Sequence, residues 1–185
     1  MKKIIFNTLL LVILTTAVQA QDKFFTKTGK ISFFSSTPME DIQAHNKTTT
    51  SVIDTKTGKI EFAVLMKAFQ FEKALMEEHF NENYVESGKF PKASFSGAIV
   101  NIGDVDFKKD GTYKVTVKGN LTLHGVTKLV EAPGTIVVQN GAVNAASTFN
   151  VAPEDYNIAI PNLVREKIAK QIKVTVDMNY EPLKS

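Results

Sequence analysis

Apolar and polar residues alternate with period two over much of this chain. From Tyr113 the apolar positions are Tyr113, Val115, Val117, Leu121 and Leu123; between them fall Lys114, Thr116, Lys118, Asn120, Thr122 and His124. Side chains alternate across a strand, so the segment predicts a strand with one dry face and one wet face. His124 falls on the wet phase. Gly119 falls on the dry face, where it allows a bend or bulge. Ile172, Val174, Val176, Met178 and Tyr180, set against Lys173, Thr175, Asp177 and Asn179, predict a second such strand. Further strands are expected at 30–35, 48–54, 59–66, 93–102, 126–132, 135–139 and 142–150. Asp54 to Gly58, Lys108 to Gly111 and Gln139-Asn140-Gly141 read as hairpin joins, and His124-Gly125 as a weaker break. Hairpins make antiparallel pairs, because parallel strands need long crossovers.

Two stretches break this rhythm. From Glu72 to Val85, Met76, Phe80 and Tyr84 recur at spacing four with Leu75 beside them, an amphipathic helical pattern. Ser87-Gly88 and Phe90-Pro91 end it. A second, short helix is expected after Pro161-Asn162, with Val164 and Ile168 spaced by four. The fold class is therefore all-β, with one amphipathic helix and a second short one. About eight half-dry strands must bury their apolar face in a barrel or a sandwich, and regular hairpins favour the antiparallel eight-stranded barrel. Such a barrel is filled by side chains or holds one small ligand.

The first twenty residues follow a different logic. Lys2 and Lys3 precede an apolar run from Ile4 to Leu14, and Val18-Gln19-Ala20 has the small-residue pattern of a cleavage site. This is the layout of a removable signal peptide, residues 1–20, on an exported domain of residues 21–185. The run is too short to span a bilayer as a helix. An uncleaved anchor or a buried strand is the alternative. The chain has no Cys, which excludes a lipid-anchored N-terminus, a disulfide, a thiolate nucleophile and a Cys-bound metal.

Removing Lys2 and Lys3 changes the formal charge from 22 − 19 = +3 to 20 − 19 = +1. Arg165 is the single arginine. Nucleic-acid binding rests on concentrated positive charge, so a nucleic-acid partner is not expected. No second long apolar run follows, so no membrane-spanning segment is expected in the mature chain.

Candidate chemistry is sparse. His45, His79 and His124 are not at metal-ligand spacing, and there is no HExxH, GxSxG or glycine-rich phosphate motif. Glu77-Glu78 does not form a facing pair on a helix. No cofactor, metal or catalytic residue is expected, although three histidines assembled from distant loops would make a metal-assisted enzyme. Phe is abundant, 13 residues against four Tyr and no Trp. Such residues fill a core or line a ligand cavity, and periodicity does not separate the two. Alternation points Phe33, Phe62, Val64, Phe95, Val115, Val117, Leu121, Leu123, Val174 and Val176 inward, and the helix stripe makes Leu75, Met76 and Phe80 a lid.

The run Gly119-Asn120-Leu121-Thr122-Leu123-His124-Gly125-Val126-Thr127-Lys128 resembles a signature of the YceI-like family, also described as lipid- or polyisoprenoid-binding. Leu75 to Asn81 with Tyr84 and Ser87, then Lys89 to Phe95, is similar to the family's stretch leading into a strand. Asp54 to Ile60 is similar to its early hairpin. The pieces cover nearly all of Lys23 to Leu183 in family order. Leu129 stands where members often carry Pro. Ala152 stands where many carry a basic residue, and Asn157 where they carry Gly, so this strand lacks that side chain for a polar head group. The resemblance implies a lipocalin-like barrel with a helix near its mouth. It implies an apolar tunnel for a polyisoprenoid or other lipid chain, and a periplasmic location. The expected function is then a non-catalytic periplasmic binding or carrier protein for an apolar lipid. A structural barrel with a filled core and the histidine-based enzyme are the rivals, and a homodimer is left open.

Overall fold

The computed structural model describes residues 22–183, and the signal-peptide reading of residues 1–20 lies outside them. Among the described residues there are nine strands: β1 (Lys23–Ser36), β2 (Asp41–Asp54), β3 (Lys59–Leu65), β4 (Gln70–Phe71), β5 (Lys92–Ile99), β6 (Gly111–Leu123), β7 (Val126–Gln139), β8 (Ala142–Val151) and β9 (Ile172–Pro182). All pairings are antiparallel, in the order β1-β9-β8-β7-β6-β5-β3-β2, and β1 pairs with β2 to close the ring. The result is a closed eight-stranded barrel. Closure removes the free edges that a sandwich would have to protect. The two-residue β4 lies outside the ring and pairs Phe71 with Ala44 of β2.

Expected and observed elements differ in informative places. The strands foreseen at 126–132 and 135–139 are one strand, because Pro133 sits in the ladder opposite Thr116 without breaking it. The strand foreseen to 102 stops at Ile99, and Ile102–Asp104 is a 3₁₀ turn. The Asp110-Gly111 signal ends a long connection, 100–110, instead of forming a tight hairpin. There, Asp110 Oδ1 accepts the Asn140 amide at 2.9 Å. The second helix is a 3₁₀ segment, Asn162–Lys167. The first is an α-helix, α1 (Ala74–His79), that continues as a π-helical turn, Phe80–Tyr84, in which Val85 N–H donates to Phe80 O at 2.9 Å. Gly119 makes no bulge. It pairs in register with Gly97, and the Phe95 ring lies over both.

The two ends of the barrel are unlike. The end carrying the 54–59 turn, the 100–110 connection and the 139–142 turn is packed solid. Phe24, Ile53, Ile60, Ile99, Ile136, Val138, Val143, Met178 and Tyr180 are all buried there. At the other end the ring is less complete. The β7–β8 ladder covers only Gly134 to Gln139, leaving the first half of β7 without β8. The segment after β8 fits against that opening with buried Tyr156 and Ile158. The β2–β3 ladder likewise covers only Thr50 to Ile53. Beyond it the buried Asn46 amide reaches the Leu65 carbonyl at 3.0 Å.

Candidate functional site

The looser end holds a cavity of about 610 Å³ running down into the barrel. That volume falls in the range of pockets that enclose a small apolar ligand. Its floor is the packed end, where Ile53, Ile60, Ile99, Val115, Ile136 and Met178 meet it. Its wall is built by alternation. Phe62 of β3, Phe95 of β5, Val117 and Leu121 of β6, Phe149 of β8 and Val174 of β9 all point inward because each sits on the dry phase of its strand.

One side of the wall is aromatic. The Phe33 ring of β1 lies 5.5 Å from Phe69, 5.7 Å from Phe71 and 5.4 Å from Phe80, and Phe71 and Phe80 are 5.1 Å apart. Edge and tilted contacts at these separations are favourable beyond the area buried. The cluster ties the helix, through Phe80, to the barrel wall and to β4. Polar groups stand mainly at the open end. Glu40 comes from the β1–β2 turn, Lys73 from the residue just before α1, His79 from the last turn of α1, and Lys167 from the 3₁₀ segment.

Each inward-facing residue expected from the sequence borders this cavity: Phe33, Phe62, Val64, Phe95, Val115, Val117, Leu121, Leu123, Val174 and Val176. So do Leu75, Met76 and Phe80 of the helix, with Leu75 itself 61% exposed at the rim. Sequence reasoning passed over Met66, Phe69, Phe71, Ile158, Ile160 and Ile168. Met66 carries the Phe62 and Val64 alternation on into a 3₁₀ turn, Phe71 lies in a two-residue strand, and Phe69, Ile158, Ile160 and Ile168 lie between regular elements. Their signs in the sequence are the Phe62, Val64, Met66 alternation, the Phe69-Gln70-Phe71 alternation and the Val164–Ile168 spacing.

The three histidines lie on separate elements: β2, α1 and the β6–β7 hairpin. Among the described residues no cluster of three or more His, Asp or Glu could hold a metal ion. His124 departs from its expected wet position. Its side chain is only 9% exposed, with Nδ1 2.9 Å from the Tyr156 carbonyl and Nε2 2.7 Å from Glu86 Oε2. A carbonyl only accepts, so Nδ1 donates. Phe90 packs edge-on to the ring at 4.5 Å. Three residues around this contact, Glu86 (φ 45°), His124 (φ 50°) and Asn157 (φ 56°), hold left-handed backbone. Non-glycine residues reach that region at a cost of about 1–2 kcal/mol. His124 thus fastens together the loop after the helix, the β6–β7 turn and the segment after β8.

A family model described as the YceI-like domain matches residues 16–180. Solved structures share the fold. A polyisoprenoid binding domain from Saccharophagus degradans implicated in plant cell wall breakdown superposes with a TM-score of 0.76 at 14% identity, covering 89% of this chain and 100% of that one. Burkholderia cenocepacia BcnA gives 0.68 at 14% identity over 83% of this chain and 96% of its own. The Campylobacter jejuni YCEI protein gives 0.53 at 12% identity, with full coverage of both. A search of curated proteins finds no match. The family match spans most of the barrel and the motif that carries His124, and the chain belongs to the YceI-like family.

Proposed function

We propose that this protein binds and carries an apolar lipid chain, polyisoprenoid-like, in the periplasm. The observation that carries the reading is the cavity of about 610 Å³ with an aliphatic and aromatic lining, reached from one end of a closed barrel. Burying a lipid chain there removes apolar area from water at about 25 cal/mol per Å². The side chains that do this are Phe33, Phe62, Val64, Phe95, Val115, Val117, Leu121, Leu123, Val174 and Val176, with Leu75, Met76 and Phe80 as the lid. A filled-core barrel would lack such a space. The polyisoprenoid-binding structural relative supports the class of ligand. The charged N-terminus, apolar run and Val18-Gln19-Ala20 support export and cleavage after Ala20.

The test is native mass spectrometry of protein purified from a periplasmic extract, followed by organic extraction. The expected result is a chain beginning at Gln21 that releases a prenyl or other long-chain lipid, or takes one up when it is added. Apoprotein that takes up no added prenyl lipid overturns the carrier reading. A mature chain that retains residues 1–20, or its absence from the periplasm, overturns the export reading.

A further inference from the structure

The cavity is apolar for most of its depth, and the Glu, Lys and His side chains that border it, Glu40, Lys73, His79 and Lys167, come from the segments at the open end. One-ended polarity suits an amphiphile, with its chain inside and its head at the rim. The sign of the head follows from what each rim group already does. Glu40 Oε1 stands 3.8 Å from Lys73 Nζ, a loose pair, and the Lys73 side chain remains 64% exposed. The side chains of Lys167 and His79 have no ion pair or hydrogen bond among the described residues. Two ammonium groups and an imidazole therefore share the cavity lining with one carboxylate that is already paired. The nearby acidic residues of the helix do not alter this balance. Glu72, Glu77 and Glu78 do not border the cavity, and Glu77 Oε2 accepts the Phe71 amide at 3.3 Å.

We propose that the cavity takes an amphiphile with an anionic head, a carboxylate or a phosphate, met at the rim by Lys73 and Lys167 while its chain lies among the aromatic and aliphatic residues below. This rests on the apolar-chain reading given above and names the head that reading leaves open. Two partly exposed ion pairs together favour an anionic head over a neutral one by roughly tenfold. A cationic head is disfavoured by the same two lysines.

Calorimetric titration with three ligands that share one chain tests this: farnesyl phosphate, farnesol and farnesylamine, in low-salt buffer. Farnesyl phosphate is expected to bind roughly tenfold more tightly than farnesol, and farnesylamine most weakly. The gap is expected to shrink in about 1 M salt, where surface charges are screened. It is expected to fall below about threefold in the Lys73→Gln/Lys167→Gln double variant and to widen in Glu40→Gln, which removes the one carboxylate. Circular dichroism of both variants checks that they are folded. Equal binding of phosphate and alcohol, or a gap that survives the double lysine variant, overturns the anionic head and leaves the apolar cavity standing. Failure of all three to bind removes the lipid reading and this one with it.

Discussion

Ser51 Oγ donates to the Glu61 carbonyl at 2.8 Å and lies 2.7 Å from Tyr180 Oη. A hydroxyl has one proton, so with Ser51's directed at Glu61, Tyr180 is the donor in their contact. This sets the order of two substitutions. Tyr180→Phe removes a donor and leaves Ser51 bonded to Glu61, at about 1 kcal/mol. Ser51→Ala strands a buried phenol without an acceptor, and should cost about 2–3 kcal/mol by urea unfolding. Equal losses would mean that Tyr180 is not the donor. The same phenol sets an alkaline limit. Burial pushes the Tyr180 hydroxyl well above its ordinary value of 10.0. A folded value raised above the unfolded one gives stability that is complete below pH 10 and is lost as pH rises beyond it. Tyr180→Phe should therefore flatten the fall in stability above pH 10, while the wild type keeps it. Gly119 is a residue-scale constraint of another kind. A Cβ there would stand 2.5 Å from the Ser96 carbonyl and 2.7 Å from Phe95 Cζ, against backbone that has little room to move. Gly119→Ala should cost about 1–3 kcal/mol as an overpacked site, read by the same unfolding measurement.

Between elements, the His124 contacts do what strand pairing does not. They hold the loop after the helix and the segment after β8 to the β6–β7 turn, at the end where the β7–β8 ladder has stopped. His124→Ala leaves the Tyr156 carbonyl and the Glu86 carboxylate without this partner and should cost about 2 kcal/mol, since Glu86 is partly exposed. His124→Asn should lose less, because Asn tolerates left-handed backbone in a two-residue turn with Gly but is too short to reach both partners. Hydrogen exchange locates the effect. The Phe90 and Ile158 amides should lose protection in His124→Ala, while the amides of β9 keep theirs. Unchanged protection at both sites would mean that the clamp does not hold the two segments. None of these partners was legible in the sequence. The strands were, because period-two alternation is a local property and β6 and β9 display it over their whole lengths. So was the helical stripe of Met76, Phe80 and Tyr84. The His124 partners are 32 and 38 residues away in sequence, and its wet phase was overridden by tertiary contact. Pro133 and the 161–168 segment were misread for a related reason: register with β6 and packing at the mouth decide their conformation more than their own residue types do.

The molecule as a whole is a barrel divided along its axis into a core and a cavity, and the division has an energetic signature. Ile136 is 1% exposed and belongs to the packed end as well as to the cavity floor. Truncating it removes buried methyl groups and leaves a space the surrounding β-strands cannot collapse, so Ile136→Ala should cost about 2–5 kcal/mol. Leu121 is half-buried and faces open space inside the barrel. Its truncation loses transfer energy but creates little new cavity, and Leu121→Ala should cost about 1–2 kcal/mol. Enlargement has the reverse pattern. Extra volume forced into a filled core is destabilising by about 1–3 kcal/mol, but Val117→Phe with Leu121→Phe adds rings where the wall borders free volume. This double variant should unfold at a temperature at or above that of the wild type while losing at least about tenfold in affinity for an added prenyl lipid, the loss following from the volume its rings occupy. Thermal unfolding and lipid titration on the same preparation separate the two quantities. A double variant that is destabilised like an overpacked core would show that this half of the barrel has no room to spare. One that stays stable and binds lipid undiminished would place the ligand somewhere other than beside β6.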